Sequence, residues 1–395
     1  MKAICAGGGV GGLAAGIALA LRGHDVHVLE QAPALTEIGA GLQISPNGWR
    51  VLAALGVAEL LEPVIFAPEA IEMRVGQSGA RIFRLPLRET AQARWGAPYV
   101  HVHRADLVAA LLARLDAVAP GALKTGHSLT GFRHVEGGVE VVLADADSLR
   151  ADLLVGADGI HSAIRAQLLG PDQPRYTGNV AWRAVVPLSV LGDVAPPPTA
   201  CVWVGHGRHA VTTRVRGGEM ANFVGMVETP APAPEGWRTK GSAADALHEF
   251  AGWDPTITAV IEKAEVLNRW ALFDRAPLPR WSEGRVTLLG DAAHPMMPSL
   301  AQGAVQALED AWVLAASLDA AETVEAGLQA YAARRLPRTA RVQRVSAANA
   351  RLFHKASTLG RWAFYGPMAL AARLAPDLLH RRQDWVYGYD PTAAV

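Results

Sequence analysis

Apolar and polar positions change rhythm several times within AICAGGGVGGLAAGIALALRGHDVHVLE, Ala3 to Glu30. A short apolar run meets a cluster of glycines, an alanine-rich apolar stretch of helical length follows, and a second short run ends on an acid. This order predicts a strand, a glycine turn, a helix over about Gly11 to Arg22 closed by Gly23, and a strand over about Asp25 to Leu29. A signal peptide would also carry an apolar run, but the glycines from Gly7 to Gly12 would weaken the helix of its central region.

Further along, Ser45-Pro46 predicts a helix start, with the helix running to about Leu55. Alternation and turn residues predict hairpins over Ile71 to Leu87 and over Gly131 to Leu143, the latter turning at Gly137-Gly138. His101 to Leu115 begins as a strand and continues as a helix with Leu107, Leu111 and Leu115 on one face, placing Arg104 at the junction. Asp152 to Arg165 reads as a buried strand, an Asp-Gly turn and a helix. From Tyr176 to Val227 the chain alternates as strands, with Trp182, Trp203 and Phe223 available for one sheet face, and Thr229 to Trp237 is a Pro-rich surface connection. Arg285 to Leu289 is a strand ended by Gly290-Asp291, and a Pro-punctuated loop leads to a helix with Val305, Leu308, Trp312 and Ala315 on one face. The remainder is helical. Arg361 to Leu374 is an apolar packing or subunit-contact segment, broken at Gly366-Pro367.

Composition narrows the function classes. The 395 residues carry 37 basic and 37 acidic side chains, so charge gives no reason to expect nucleic acid or an anionic membrane as partner. Only two cysteines are present, Cys5 and Cys201, which argues against a disulfide framework or a metal cluster and for a cytoplasmic protein. No apolar run makes a convincing membrane span.

The glycine spacing supplies the first chemistry. Gly7, Gly9 and Gly12 fall on G-x-G-x-x-G: the first allows the tight turn, the second lets a pyrophosphate approach the backbone, and the third lets the helix pack on the strand. Helix N–H groups then face a diphosphate, and Glu30 stands where a ribose hydroxyl is expected. Spacing alone is a weak signal, but strand, helix, second strand and terminal acid all occur in order.

Three motifs occur together: GGGVGG with Glu30, GADG at Gly156 to Gly159, and LLGDAAHPMMPSLAQGAVQALEDA at Leu288 to Ala311. With EIGAGLQISPNGWRVL, VAWRAVVP, GRHAVTTRVRGGEMANFVG and the terminal DWVYGYD, the chain resembles the single-component FAD-dependent aromatic hydroxylases, the para-hydroxybenzoate hydroxylase family, most closely its salicylate and 3-hydroxybenzoate hydroxylase branch. That resemblance implies an α/β fold in which a Rossmann-like FAD-binding domain (1–70, 98–172 and 284–345) is interleaved with a β-rich substrate domain (71–97 and 173–283), followed by a helical C-terminal segment (346–395).

It also implies roles. Gly7, Gly9, Val10, Gly11, Gly12 and Glu30 would hold the FAD diphosphate and adenosine ribose. Arg104 would contact FAD, Asp158-Gly159 would serve both FAD and the nicotinamide donor, and Asp291 would bond the ribitol. Pro298 and the Gly303-Ala304 backbone would lie beside the isoalloxazine, where a helix N-terminus stabilises negative charge. The flavin would take a hydride from NADH or NADPH and, with O2, form the hydroperoxide that passes one oxygen to an electron-rich ring. The substrate would be a small aromatic acid; with salicylate, attack at the carboxylated carbon would expel CO2. A phenol reacts better as phenolate, and His209, in a GRHAVTT segment resembling the branch's G-R-H-x-x-T-Y, is the expected base. Thr213 stands where many relatives carry tyrosine, and Arg183 and Arg214 are the candidates for the substrate carboxylate. His294 is a second, weaker candidate for the base, its place in the GDAAHP loop pointing to a structural role. The expected protein is a monomer or homodimer without bound metal. The alternatives are an oxidase, epoxidase or reductase of the same fold, and a nucleotide-binding redox sensor without turnover.

Overall fold

The computed structural model describes residues 1–35, 40–144, 147–171, 174–230, 239–354 and 358–393. Most of the Pro-rich connection, 231–238, and part of the EIGAG motif, 36–39, lie outside the described residues.

Strand Lys2–Ala6 is the centre of the molecule. It pairs in parallel with Asp25–Glu30 on one side and Leu153–Gly156 on the other, within a six-stranded sheet that continues to Leu123–Thr125 at one edge and to Val286–Leu288 and Ser282–Glu283 at the other. Its residues Ala3 to Cys5 are fully buried, as expected of a parallel strand covered on both faces. Helices Val10–Ala20, Arg104–Val118 and Gly303–Asp319 pack together over it. Because the neighbours of Lys2–Ala6 lead away in opposite directions, its carboxyl end is the switch point at which an open α/β sheet leaves a crevice for ligand.

A seven-stranded sheet forms the second layer, in the order Asn268–Asp274, Arg175–Pro187, Met220–Glu228, Arg208–Val215, Ala200–Gly205, Ala70–Val75, Arg81–Pro86. Two distant stretches of chain build it, joined where Ala70–Val75 lies parallel to Ala200–Gly205. Strand alternation gives it two unlike faces. Trp182, Trp203 and Phe223 point to one of them and are buried with Phe250, Trp253 and Ile257 beneath helices Ala243–Glu249 and Pro255–Glu262. Each ring withdraws enough area to contribute roughly 4–6 kcal/mol before conformational costs. The residues between them, among them Arg183, His209, Val211, Val224 and Met226, face the crevice.

The C-terminal helices close the other side. Val324–Leu352 packs on Gly303–Asp319, and Thr358–Leu374 lies against strand Arg81–Pro86. The break expected at Gly366-Pro367 does not occur, since that helix runs through Pro367. Burial of Tyr365 and Ala372 against Met73, Phe83 and Leu85 offsets the roughly 3 kcal/mol that an interior proline costs. No helix among the described residues is long and apolar enough to cross a membrane.

Candidate active site

At the end of strand Lys2–Ala6 the chain turns through Gly7, whose φ of +112° and whose Cβ position, 2.3 Å from the Ala157 carbonyl oxygen, exclude any side chain. A Cβ on Gly12 would lie 1.9 Å from the Gly7 carbonyl oxygen, so the helix is set directly on the turn. Gly9 differs. Its φ of −78° suits any residue, and among the described residues no atom outside its chain neighbours and its own helix comes within 4 Å of where its Cβ would be. It lines the crevice and caps helix Val10–Ala20 with no side-chain partner for the first N–H groups. The protein's own packing leaves room at Gly9, and that room, at the positive end of a helix, suits a diphosphate.

Glu30 ties the second strand to this turn: its carboxylate accepts hydrogen bonds from the Gly8 and Ala32 amides, both at 2.8 Å. Two lone-pair sites remain for ribose hydroxyls. Asp158 Oδ2 accepts from the Ile164 amide at 3.2 Å, while its Oδ1 is buried without a protein hydrogen-bond partner, a group that a bound polar ligand would satisfy. Gly159 lines the crevice, as do Val10, Gly11 and Arg104. Together the open glycine, the orphaned carboxylate oxygen and the helix start at Val10 fit FAD.

Farther along, Asp291 lines the crevice; burial raises its carboxyl pKa, although His294, Arg104, Arg275 and Arg165 pull the other way. Pro298, Gly303 and Ala304 line the same space, the last two opening helix Gly303–Asp319. A buried polar network fixes that helix start. Gln302 Nε2 donates to Ser45 Oγ at 2.9 Å, and Asn47 Nδ2 donates to Gln302 Oε1 and to Glu309 Oε1, at 3.1 and 2.7 Å. Two turns along the helix, Arg335 pairs with both Glu309 and Asp310, all three fully buried, and Asp310 also accepts from His294 and from the Gly290 amide. Burial alone would raise the Asp310 carboxyl; His294 and Arg335 outweigh it and hold it down at about 2. Sequence reading missed this network, although two acids set between Leu308 and Ala311 on an apolar helix signal a buried cation partner.

The seven-stranded sheet supplies the opposite wall. His209 is 1% exposed, and its pKa lies well below the ordinary histidine value because of burial and then the neighbouring His354. Arg183 also lines the crevice, with its guanidinium 4.8 Å from the Trp270 ring centroid; burial and then Arg104 lower its pKa to about 10. Thr213 lies one step back, accepting a 3.0 Å hydrogen bond from Asn222, which does line the cavity and accepts from the Gly41 amide. Arg214 is elsewhere. As the residue after Thr213 it points to the other face of the sheet, where its guanidinium donates to the Pro196 carbonyl oxygen at 2.6 and 3.1 Å. Tyr99, whose hydroxyl donates to Gln43 Oε1 at 2.6 Å, and Phe353 complete the wall without having been singled out from sequence, since both come from segments remote in the chain. The whole cavity measures about 460 Å³, in the range of small-molecule sites.

Residues 1–346 match the family described as FAD binding domain. The chain belongs to this family, the FAD-dependent aromatic monooxygenases. It is 38% identical over 388 residues to the 3-amino-4-hydroxybenzoate 2-monooxygenase PtmB3 of Streptomyces platensis, covering 97% of this chain and 95% of that one. It is 35% identical over 392 residues to the 3-hydroxybenzoate 6-hydroxylase of Polaromonas naphthalenivorans, covering 99% and 96%. The structure superposes on Klebsiella pneumoniae HpxO complexed with FAD and uric acid with a TM-score of 0.84 at 31% identity, covering 95% and 94% of the two chains. The cofactor of this monooxygenase is FAD.

Proposed function

We propose that this monooxygenase hydroxylates a small phenolic acid of the salicylate or hydroxybenzoate type, with O2 and NADH or NADPH. The observation that carries this reading is His209, a buried imidazole in the cavity wall that its depressed pKa keeps neutral at physiological pH, with a ring nitrogen able to accept a hydrogen bond from a phenol. FAD, when bound, supplies the redox chemistry that draws electrons from the nicotinamide and activates oxygen.

The residues of this chain do the rest. Gly7, Gly9, Val10, Gly11 and Gly12 cradle the diphosphate, Glu30 takes the ribose, and Arg104, Asp158, Gly159 and Asp291 hold the remainder of the cofactor. The helix start at Gly303-Ala304, held by the Gln302 network, presents N–H dipoles to negative charge on the ring system, with Pro298 beside it. His209 removes the phenolic proton, which makes the ring electron-rich. Arg183 faces the same cavity and suits a substrate carboxylate. Thr213 acts through Asn222, steadying the wall that the ring touches. Two buried free thiols, Cys5 and Cys201, support a cytoplasmic setting for the enzyme.

The test is His209→Ala. The variant should purify yellow, with FAD bound, while hydroxylation slows by about 10²–10⁴-fold. Full coupled activity in the variant would remove His209 from the mechanism. Oxygen consumption by the wild type without a product one oxygen heavier would favour an oxidase or reductase of the same fold.

A further inference from the structure

Strand pairing places a second titratable group beside the cavity base. His209 lies opposite Met226 in the antiparallel pair, and Glu228, two residues beyond Met226, falls on the same sheet face at the end of strand Met220–Glu228. His354, just after helix Val324–Leu352, fits between them. His209 Nδ1 is 2.6 Å from His354 Nε2, and His354 Nδ1 is 2.7 Å from Glu228 Oε1. Exposure rises along this line: the His209 residue is 1% exposed, the His354 side chain 5% and the Glu228 side chain 54%.

The hydrogen-bond directions follow from the carboxylate. Ionised Glu228 only accepts, so His354 Nδ1 carries the proton; neutral His354 then accepts at Nε2, and His209 Nδ1 carries the proton of that bond. The lone pair of His209 is left on Nε2, the ring nitrogen outside this chain of bonds, on a residue that lines the cavity.

We infer that His354 and Glu228 form with His209 a proton relay that carries the phenolic proton of a bound substrate from the cavity to solvent. The inference rests on the phenol-hydroxylase reading above. The substrate O–H bond breaks as a His209 Nε2–H bond forms. The His209 Nδ1 proton passes to His354 Nε2, and the His354 Nδ1 proton to the Glu228 carboxylate, which loses it to water. No electrons are exchanged, and reprotonation of the product runs the chain backward and restores both tautomers. The relay also meets a physical need. Burial and the adjacent imidazole make a cationic His209 unfavourable, so this base works by passing a proton on at once rather than by holding it. Phe353, whose ring centroid lies 5.0 Å from that of His209, lines the cavity beside the relay.

The experiment mixes oxidised holoenzyme with 3-hydroxybenzoate and with salicylate in weakly buffered solution under anaerobic conditions, following phenolate absorbance and proton release to a pH-indicator dye. Wild type should ionise at least one of the two with a fast release. In His354→Phe both signals should slow about tenfold or more at unchanged FAD content, with partial recovery on adding free imidazole. Glu228→Gln is the second variant: its amide oxygen still accepts from His354 but cannot carry the proton onward, and its surface position spares the fold. It should slow release likewise. Release at the wild-type rate in Glu228→Gln and in any folded His354→Phe overturns the relay while leaving the hydroxylase reading intact. A wild type that binds both phenols without ionising either overturns the reading and the relay together.

Discussion

Gly9 and Gly12 belong to one motif, yet substitution by alanine should fail in different ways. At Gly12 the new Cβ would sit 1.9 Å from the Gly7 carbonyl oxygen, against an ordinary contact of at least 3.4 Å, so backbone must move by 1.5 Å with no side chain able to yield. A cost at or above the usual overpacking range of about 1–3 kcal/mol follows, together with displacement of the turn. At Gly9 nothing among the described residues beyond its own helix and neighbours meets the new methyl. The unfolded chain loses freedom, favouring the fold by about 0.4–1 kcal/mol, while alanine caps a helix less well than glycine, so apoprotein stability should stay within about 1 kcal/mol of wild type. The methyl does project into the crevice, where it displaces the diphosphate from the helix N–H groups. Loss of one charge-assisted hydrogen bond, about 1.5–3 kcal/mol, weakens FAD binding roughly 10- to 150-fold. Thermal unfolding of the apoproteins and titration with FAD by flavin fluorescence separate the two effects. Wild-type FAD affinity in Gly9→Ala would refute the placement of the diphosphate above Gly9, and an apoprotein as unstable as Gly12→Ala would refute the claim that the protein leaves this space open.

Arg335→Leu strips one cation from two fully buried carboxylates, with Arg338 still on Glu309 and His294 still on Asp310; a loss of about 3–5 kcal/mol should appear as a lowered unfolding midpoint, checked by denaturant titration. Acid stability tests the same network: the Asp310 carboxyl is held at about 2, below its unfolded value, so its contribution is complete above about pH 4–5 and disappears as pH falls towards about 2, measured as the pH dependence of the midpoint. Arg183→Met should raise KM for a carboxylated phenol by about 10-fold or more and change it little for the same phenol without the carboxylate; equal effects on both would assign Arg183 to packing against Trp270.

Local physics makes much of this protein legible in the order of its residues. A glycine that must be a glycine announces a turn, and a period of 2 or 3.6 announces which residues share a face, so the dinucleotide strand-turn-helix and the alternation of Trp182, Trp203 and Phe223 can both be read from the chain itself. The same period-two rule carries the means to separate Thr213 from Arg214, but only the fold shows which of the two faces borders the cavity. Pro367 illustrates the opposite limit, because a local breaker is overruled by burial against the edge hairpin, a contact with residues hundreds of positions away.

What tertiary structure alone decided is the pairing of charges and protons. Glu309 and Arg335 are 26 positions apart, Glu228 and His354 are 126 apart, and His209 and His354 are 145 apart. The sequence determined that this chain builds a strand-turn-helix nucleotide cradle, since backbone geometry is short-range, whereas the expectation of His209 beside the cavity rests only on the resemblance of its GRHAVTT segment. The sequence did not determine which side chains meet across the crevice, since burial, desolvation and hydrogen-bond direction depend on everything packed around a group, and those properties exist only once the two sheets and the C-terminal helices have closed on one another.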